Sequence, residues 1–262
     1  MKYDQCKKDF VRKVQRMSGK YSPRDIFNDF CHMARLALAN IFHDPKLDAE
    51  YNQILSRHDG DVKPFSELLA IAVDAYESKI GDFLGECYEE LGIQNQHAGQ
   101  FFTPYSVSRT MAEITITPET VESQVADHGY FSIGDEACGA GCTLLAALDV
   151  LKNRHNINFQ RHCLVVAQDI DDNCAAMCFV QLALLGAPAI VTTGNTLAPN
   201  PRCGRKWYTM FYWMNAHKFR GAYLKREKPI LETCNAALAL ESPPEPKIDV
   251  KIEPSGQMAF NF

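Results

Sequence analysis

No run of apolar residues in this 262-residue chain approaches the ~20 needed for a helix to cross a bilayer, and its first fifteen residues are charged and helix-patterned. A helical membrane span is excluded, and a secretory leader has no apolar stretch to build on, so the sequence predicts a cytoplasmic protein. No Cys-x-x-Cys pair occurs among the ten cysteines, and no histidine pair stands near them. Metal ligation lacks its ligand spacing, and reduced, buried thiols are expected. A surplus of positive charge is also missing: 27 Lys and Arg against 32 Asp and Glu leave a net charge of −5. That excludes a protein that coats nucleic acid along its whole length, because phosphate affinity scales with cationic contacts.

The charge is uneven. Lys2 to Arg24 carries eight bases against Asp4 and Asp9, and Arg202 to Lys228 carries eight against Glu227 alone. A basic stretch on an acidic protein holds a polyanion locally; for the N-terminal one, a solvated helix face is an equally good reading. The second stretch is interleaved with Trp207, Tyr208, Phe211, Tyr212, Trp213, Phe219 and Tyr223. Two readings are open for it: a surface that grips phosphates and stacks bases, or the inward residues of a buried strand.

Apolar residues at three- and four-residue steps, such as Phe27, Phe30, Cys31, Ala34 and Leu38, predict an all-helical region over 1–98. Ser22-Pro23, Asp44-Pro45 and Asp59-Gly60 mark its turns. From residue 99 to 240 short apolar runs alternate with helical stretches. Strands are predicted at Tyr130–Ile133, Cys163–Ala167 and Ala189–Thr192, with helices at Cys142–Asn153 and Asp172–Leu185 between them. Strand, helix, strand, helix, strand at this spacing predicts an α/β domain with a parallel sheet. Trp207–Met214 is a candidate fourth strand. Residues 241–262 open with Pro243-Pro244-Glu245-Pro246 and are expected to form a flexible tail.

Ligands of open parallel sheets bind beyond the carboxyl ends of the strands. After the first predicted strand comes Gly134-Asp135-Glu136-Ala137-Cys138-Gly139-Ala140-Gly141, whose glycines let a ligand lie against the main chain. Asp169 ends the second strand, where nucleoside-binding sheets place a carboxylate for ribose hydroxyls. Gly194-Asn195-Thr196-Leu197 puts an amide at the third strand end. Leu144 stands where a dinucleotide fingerprint needs its third glycine, so a nucleoside fits better than a pyrophosphate.

These residues resemble the adenine-N6 DNA methyltransferases, in particular the methylation subunits of type I restriction-modification systems. Gly99-Gln100-Phe101-Phe102-Thr103-Pro104 is similar to that family's segment at the methionine end of S-adenosyl-L-methionine. Asp135-Glu136-Ala137-Cys138-Gly139-Ala140-Gly141 resembles its Asp-Pro-Ala-Cys-Gly-[Ser/Thr]-Gly loop, with Glu136 in place of proline. Gln168-Asp169-Ile170-Asp171 resembles Gln-Glu-Ile-Asp, and Gly194-Asn195-Thr196-Leu197 resembles Gly-Asp-Thr-Leu, whose acid reads the cofactor adenine. Asp82-Phe83-Leu84-Gly85-Glu86-Cys87-Tyr88-Glu89 looks like the helix that precedes this core. The resemblance runs from about Asp82 to Leu197. It implies a Rossmann-like S-adenosylmethionine-dependent methyltransferase sheet after a helical region. The cofactor would be held by Phe102, Thr103, Pro104, Asp135, Ala137, Cys138, Gly139, Gly141, Asp169, Ile170, Asn195 and Thr196.

The family's Asn/Asp-Pro-Pro-aromatic acceptor signature is absent. Its nearest stand-in is Asn215-Ala216-His217-Lys218-Phe219, with Asn215 as hydrogen-bond acceptor and Phe219 as stacking residue for a flipped adenine. The DNA backbone would meet Lys218, Arg220, Lys225 and Arg226. Too few residues follow for the remaining strands, which predicts a sheet that is truncated or completed by another chain. Adenine-N6 methylation of DNA is the leading function. The alternative is a catalytically inactive cofactor- or DNA-binding relative, a regulatory or decoy partner in a restriction-modification or replication assembly. Gln257 to Phe262 loosely resembles the peptide by which bacterial replication proteins dock on the sliding clamp.

Overall fold

The computed structural model describes residues 2–93, 103–198, 204–219, 250–252 and 258–260. The expected boundary between the helical region and the α/β region, at 98 and 99, lies outside them.

Five helices open the chain: α1 (Tyr3–Met17), α2 (Pro23–Ala39), α3 (Pro45–Ser56), α4 (Lys63–Ser78) and α5 (Phe83–Glu90). The turn signals act as caps. Ser22 Oγ accepts from Asp25 N–H at 3.2 Å while Asp25 returns a carboxylate to Ser22 N–H at 3.1 Å, and Pro23 supplies the preset first turn. Asp44 accepts from Lys46 N–H at 2.9 Å ahead of Pro45. Phe10, Phe27, Phe30 and Phe83 meet in the core of this region, with Phe10 edge-on to Phe30 at 5.2 Å and to Phe83 at 5.5 Å. Full burial stabilises each ring by about 1.5–3 kcal/mol. Part of the N-terminal basic cluster is neutralised at home: Lys7 pairs with Glu86 at 3.0 Å, Lys13 with Glu67, and Arg12 with Asp9.

Two further helices, α6 (Tyr105–Thr115) and α7 (Pro118–His128), lead into β1 (Phe131–Asp135), α8 (Cys142–Asn153), a short α9 (Phe159–His162), β2 (Cys163–Asp169), α10 (Asp172–Leu184) and β3 (Ala189–Thr193). β1, β2 and β3 pair in parallel in that order, with Asp135 beside Ala167 and Asp169 beside Thr193. The predicted parallel α/β core is therefore present. Side-chain alternation splits its faces. Cys163, Val165, Ala167, Ala189 and Val191 join the main core with α8, α10 and the helical region; Leu164 and Ile190 turn to a small second cluster with Tyr130, Tyr212 and Phe219. Residues 174–182 of α10 are buried all round, as a helix held between a sheet and other helices must be.

The fourth strand differs from expectation. β4 (Arg205–Tyr208) pairs antiparallel with β3, Tyr208 opposite Ile190, and the chain then turns into α11 (Met210–Met214). Thr209 makes the switch. Its hydroxyl donates to Ala187 C=O at 2.7 Å, accepts from Ala189 N–H at 2.9 Å, and caps α11. Three aromatics of this stretch, Trp207, Tyr212 and Phe219, are buried, and the Arg35 and Arg205 guanidiniums each stand 4.2 Å from the Trp207 ring.

Residues up to Tyr223 form one unit and Leu224–Phe262 a second. Within the second, β5 (Val250–Ile252) and β6 (Met258–Phe260) pair antiparallel. Gln257, Asn261 and Phe262 of the expected clamp-docking peptide lie outside the described residues. No helix among the described residues is long and apolar enough to cross a membrane.

Two polar ties, one half-buried and one fully buried, join the helical region to the sheet layer. Arg35 grips Asp172 with bonds of 2.7 and 2.8 Å and donates to His32 Nδ1 at 2.9 Å. His32 therefore carries its proton on Nε2, which donates to Asn173 at 3.0 Å. The Arg35 bonds hold the Asp172 carboxyl down at about 2 against the opposing effect of burial. The second tie is Asp82, whose Oδ1 accepts from Gly85 N–H at 3.1 Å and from the Gln181 amide at 2.9 Å.

Burial pushes the Asp82 pKa up to about 6, beyond what these bonds recover. A carboxyl that holds its proton more tightly when folded stabilises the fold fully below the unfolded pKa near 3.8, and that contribution is lost as the pH rises through about 6. Asp82→Asn keeps the accepting oxygen and removes the charge. It should raise stability by about 1–3 kcal/mol at neutral pH and leave it unchanged near pH 4. Urea unfolding of both proteins across this range checks the sign.

Candidate cofactor site

Three loops leave the sheet at the carboxyl ends of the parallel strands, and their polar groups bind one another. After β1, Asp135 Oδ1 accepts from Ala137 N–H at 3.0 Å, and Thr143, in the first turn of α8, donates to its other oxygen. Cys138 N–H donates to Gln168 C=O at 2.9 Å, which ties this loop to β2, and Gly141 N–H closes a turn on Cys138 C=O at 2.8 Å. Gly139 and Gly141 adopt φ of 54° and 99°, the left-handed region that glycine enters without strain. A β-carbon on Gly141 would also come within 3.0 Å of Cys178 Sγ.

Asp169 stands at the centre. One carboxylate oxygen accepts from Gly139 N–H at 2.7 Å and the other from Asp171 N–H at 2.9 Å. Each oxygen keeps a lone pair for a further donor. Burial raises the Asp169 pKa above the usual carboxylate value despite these two bonds, and Asp171 and Asp135 add to the rise. Ile170, beside it, is 70% exposed, an apolar side chain facing solvent at a strand end.

The loop after β3 docks on both neighbours. Gly194 N–H donates to Asp169 C=O at 2.8 Å, Gln168 Nε2 donates to Gly194 C=O at 3.3 Å, and Thr196 Oγ1 donates to Glu136 C=O at 2.5 Å. Asn195 is exposed, its Oδ1 accepting from Leu197 N–H at 2.9 Å. Thr103 C=O accepts from Cys142 Sγ at 3.2 Å, which brings Thr103 and Pro104 to the start of α8. Phe102 lies outside the described residues. Asp135, Ala137, Cys138, Gly139, Gly141, Asp169, Ile170, Asn195 and Thr196 thus share one end of the sheet.

Asn215 and Phe219 do not. Because β4 runs antiparallel, the chain has returned to the starting ends of the parallel strands before it reaches them. Asn215 donates to Gln160 C=O at 3.2 Å and to Phe211 C=O at 2.9 Å, ahead of β2. The seven residues of β2 then separate it from Asp169 by roughly 20 Å. Phe219 is fully buried, edge-on to Tyr130 at 5.0 Å and stacked on Tyr212 at 5.9 Å, where no flipped base reaches. Lys218 is at the same end and donates to Arg161 C=O at 3.2 Å. Arg220, Lys225 and Arg226 lie outside the described residues.

Sequence reasoning missed the residues that hold this site from beneath. Thr143 had a local signal, a hydroxyl in the first helical turn within reach of the preceding loop. Gln181 had a fainter one, a lone amide in an otherwise apolar helical run. All eight described cysteines are buried free thiols, and no group of three metal-ligating residues occurs among the described residues.

Comparison with known proteins gives likenesses of two kinds. The crystal structure of a type I restriction-modification system methyltransferase subunit from Streptococcus thermophilus superposes with a TM-score of 0.39 at 14% identity, covering 74% of this chain and 58% of that one. A class I S-adenosylmethionine-dependent methyltransferase structure from Listeria monocytogenes superposes with a TM-score of 0.35 at 11% identity, covering 80% of this chain and 68% of the other. This chain therefore spans 58% of the length of the first of these proteins. No curated protein matches it. The N-6 DNA Methylase model matches residues 79–211, more than half of the sequence and all three parallel strands, and the chain belongs to the N-6 DNA Methylase family.

Proposed function

We propose that this chain supplies the cofactor-binding part of an S-adenosylmethionine-dependent adenine-N6 DNA methyltransferase of the type I modification-subunit kind. The carrying observation is the Asp169 carboxylate, anchored 2.7 Å from Gly139 N–H at the carboxyl ends of the strands, inside the stretch that belongs to the family. The donor set suits a nucleoside. A fixed, half-buried carboxylate accepts from the two ribose hydroxyls, and the glycine turn leaves main chain bare beside it. Ile170 covers a face of the adenine, Asn195 offers its amide to the ring edge, and Thr103 and Pro104 bound the methionine end, with Phe102 by resemblance. When bound, S-adenosylmethionine supplies an electrophilic methyl on a sulfonium. The chain's own part is to hold that donor in one orientation.

DNA is the substrate in this reading, which looks beyond Asn215 for the group that accepts from adenine N6 and beyond Phe219 for the residue that stacks on the base. One observation favours a second reading, a cofactor-binding relative without transfer chemistry of its own. In the doubly wound order the fourth parallel strand lies against β1, whereas β4 here lies against β3, and among the described residues no strand pairs with the other edge of β1. A partner chain that completes the sheet at that edge reconciles the two.

Calorimetric titration with S-adenosylmethionine tests the shared premise. Asp169→Ala should weaken binding by about 1–3 kcal/mol, the loss of a charged acceptor; unchanged affinity would sink the assignment. Asp169 accepts both hydroxyls only while ionised, so wild-type affinity should fall as the pH drops through its raised pKa, and Asp169→Asn should flatten that dependence. Tritium transfer from labelled cofactor to mixed DNA separates the two readings. Where incorporation occurs, Asn215→Ala should leave its rate within about twofold, since the side chain sits roughly 20 Å from the pocket.

A further inference from the structure

We propose that Gln181 is a positioning residue for the cofactor loop. Its amide, set in orientation by Leu84 N–H and braced by Asp82, fixes the Ala140 carbonyl and with it the path of the Cys138–Gly141 turn. The inference rests on the reading of that turn as the wall of a nucleoside pocket.

Gln181 is completely buried in the last turn of α10, following Met177, Cys178, Phe179 and Val180 and ahead of Leu182. A polar side chain in such a run costs free energy unless its hydrogen bonds are made, and here all four are. Oε1 accepts from Leu84 N–H at 2.9 Å and from the Tyr76 hydroxyl; Nε2 donates to Asp82 Oδ1 at 2.9 Å and to Ala140 C=O at 2.7 Å. Main-chain groups decide the orientation of the amide. Leu84 N–H can only donate and Ala140 C=O can only accept, so the amide has one way to sit.

The three segments joined are α4 through Tyr76, the start of α5 through Asp82 and Leu84, and the glycine turn through Ala140. One turn earlier on α10, Cys178 packs against Gly141 so closely that a β-carbon there would reach its sulfur at 3.0 Å. The helix therefore touches the turn twice, by contact at Cys178 and by a directional bond at Gln181. Of these two, only the bond acts on the Ala140–Gly141 peptide against rotation; it holds the C=O while Cys138 C=O, within the turn, holds the N–H at 2.8 Å. Gly139 and Gly141, which lack side chains, offer little resistance of their own. With the carbonyl drawn inward, the wall beside Asp169 presents no peptide oxygen from Ala140.

Gln181→Glu tests this. The new carboxyl keeps an acceptor for Leu84 N–H and the Tyr76 hydroxyl, and it donates to Ala140 only when protonated. Its own polar contacts are Tyr76 of α4, Asp82 just ahead of α5, Leu84 N–H and Ala140 C=O; Tyr3, Cys31, Cys87, Glu86 and Cys142 lie around Tyr76 and Asp82, and Lys7 of α1 pairs with Glu86. No cation bonds to residue 181 and an acid stands beside it, so the carboxyl holds its proton well above the usual range. Affinity for S-adenosylhomocysteine, relative to wild type at each pH, should be reduced about tenfold or more near pH 8 and recover toward wild type near pH 5.5. Melting temperature is followed alongside. A folded variant with wild-type affinity near pH 8, or an affinity deficit that merely tracks melting temperature, overturns the proposal. Should Gln181→Glu fail to fold, Gln181→Asn, which keeps the amide but shortens its reach, should lose about fivefold or more; full affinity there also overturns it. Wild-type protein that binds no cofactor product overturns the pocket reading and this inference together, whereas binding by wild type and Gln181 variants alike removes this inference alone.

Discussion

The loop after β1 has no helix or strand to satisfy its peptide groups, and the architecture of the site follows from how those groups are paired. A buried main-chain N–H or C=O left without a partner costs about as much as a lost hydrogen bond. Cys138 N–H finds Gln168, Gly139 N–H finds Asp169, Gly141 N–H finds Cys138, and the Ala140 carbonyl finds Gln181. Two of these partners lie on β2, one on α10 and one within the turn itself. The turn is thus held rigidly by its surroundings while its outer surface stays bare of side chains.

The same pairing explains why the helical region belongs to the site although it contributes no strand. Arg35 of α2 grips Asp172, three residues beyond Asp169, and Tyr76 and Asp82 hold Gln181 beneath the glycine turn. Charges buried for this purpose lower the net stability; the raised pKa of Asp82 measures that cost. Asp172 escapes it because a guanidinium faces it directly. The contrast between the two aspartates is one of partner: a cation in one case, an amide and a peptide in the other.

Much of this was legible in the chain. Short apolar runs bounded by turn residues located β1, β2 and β3 nearly to the residue, and the placement of glycine, carboxylate and amide at successive strand ends follows from their parallel pairing. Asn215 was misplaced for a reason periodicity does not reach. Trp207–Met214 is aromatic or apolar at every position but Thr209, which marks burial but neither strand length nor direction, and an antiparallel return moves every following residue to the opposite end of the sheet. The hydroxyl of Thr209, ahead of Met210, is the local cue that the strand stops there. Gln181 and Arg35 act on residues 41 and 137 positions away in sequence, and such contacts leave little local trace.

In the proposed pocket a nucleoside lies against the Gly139–Gly141 turn with its sugar at Asp169. An amide-resolved nuclear magnetic resonance titration with S-adenosylmethionine reads that location directly. The backbone signals of Gly139, Gly141, Ile170 and Asn195 should shift together and saturate at one stoichiometric equivalent, while those of Asn215 and Lys218 stay in place. Shifts confined to the opposite end of the sheet, or none at saturating cofactor, would contradict it.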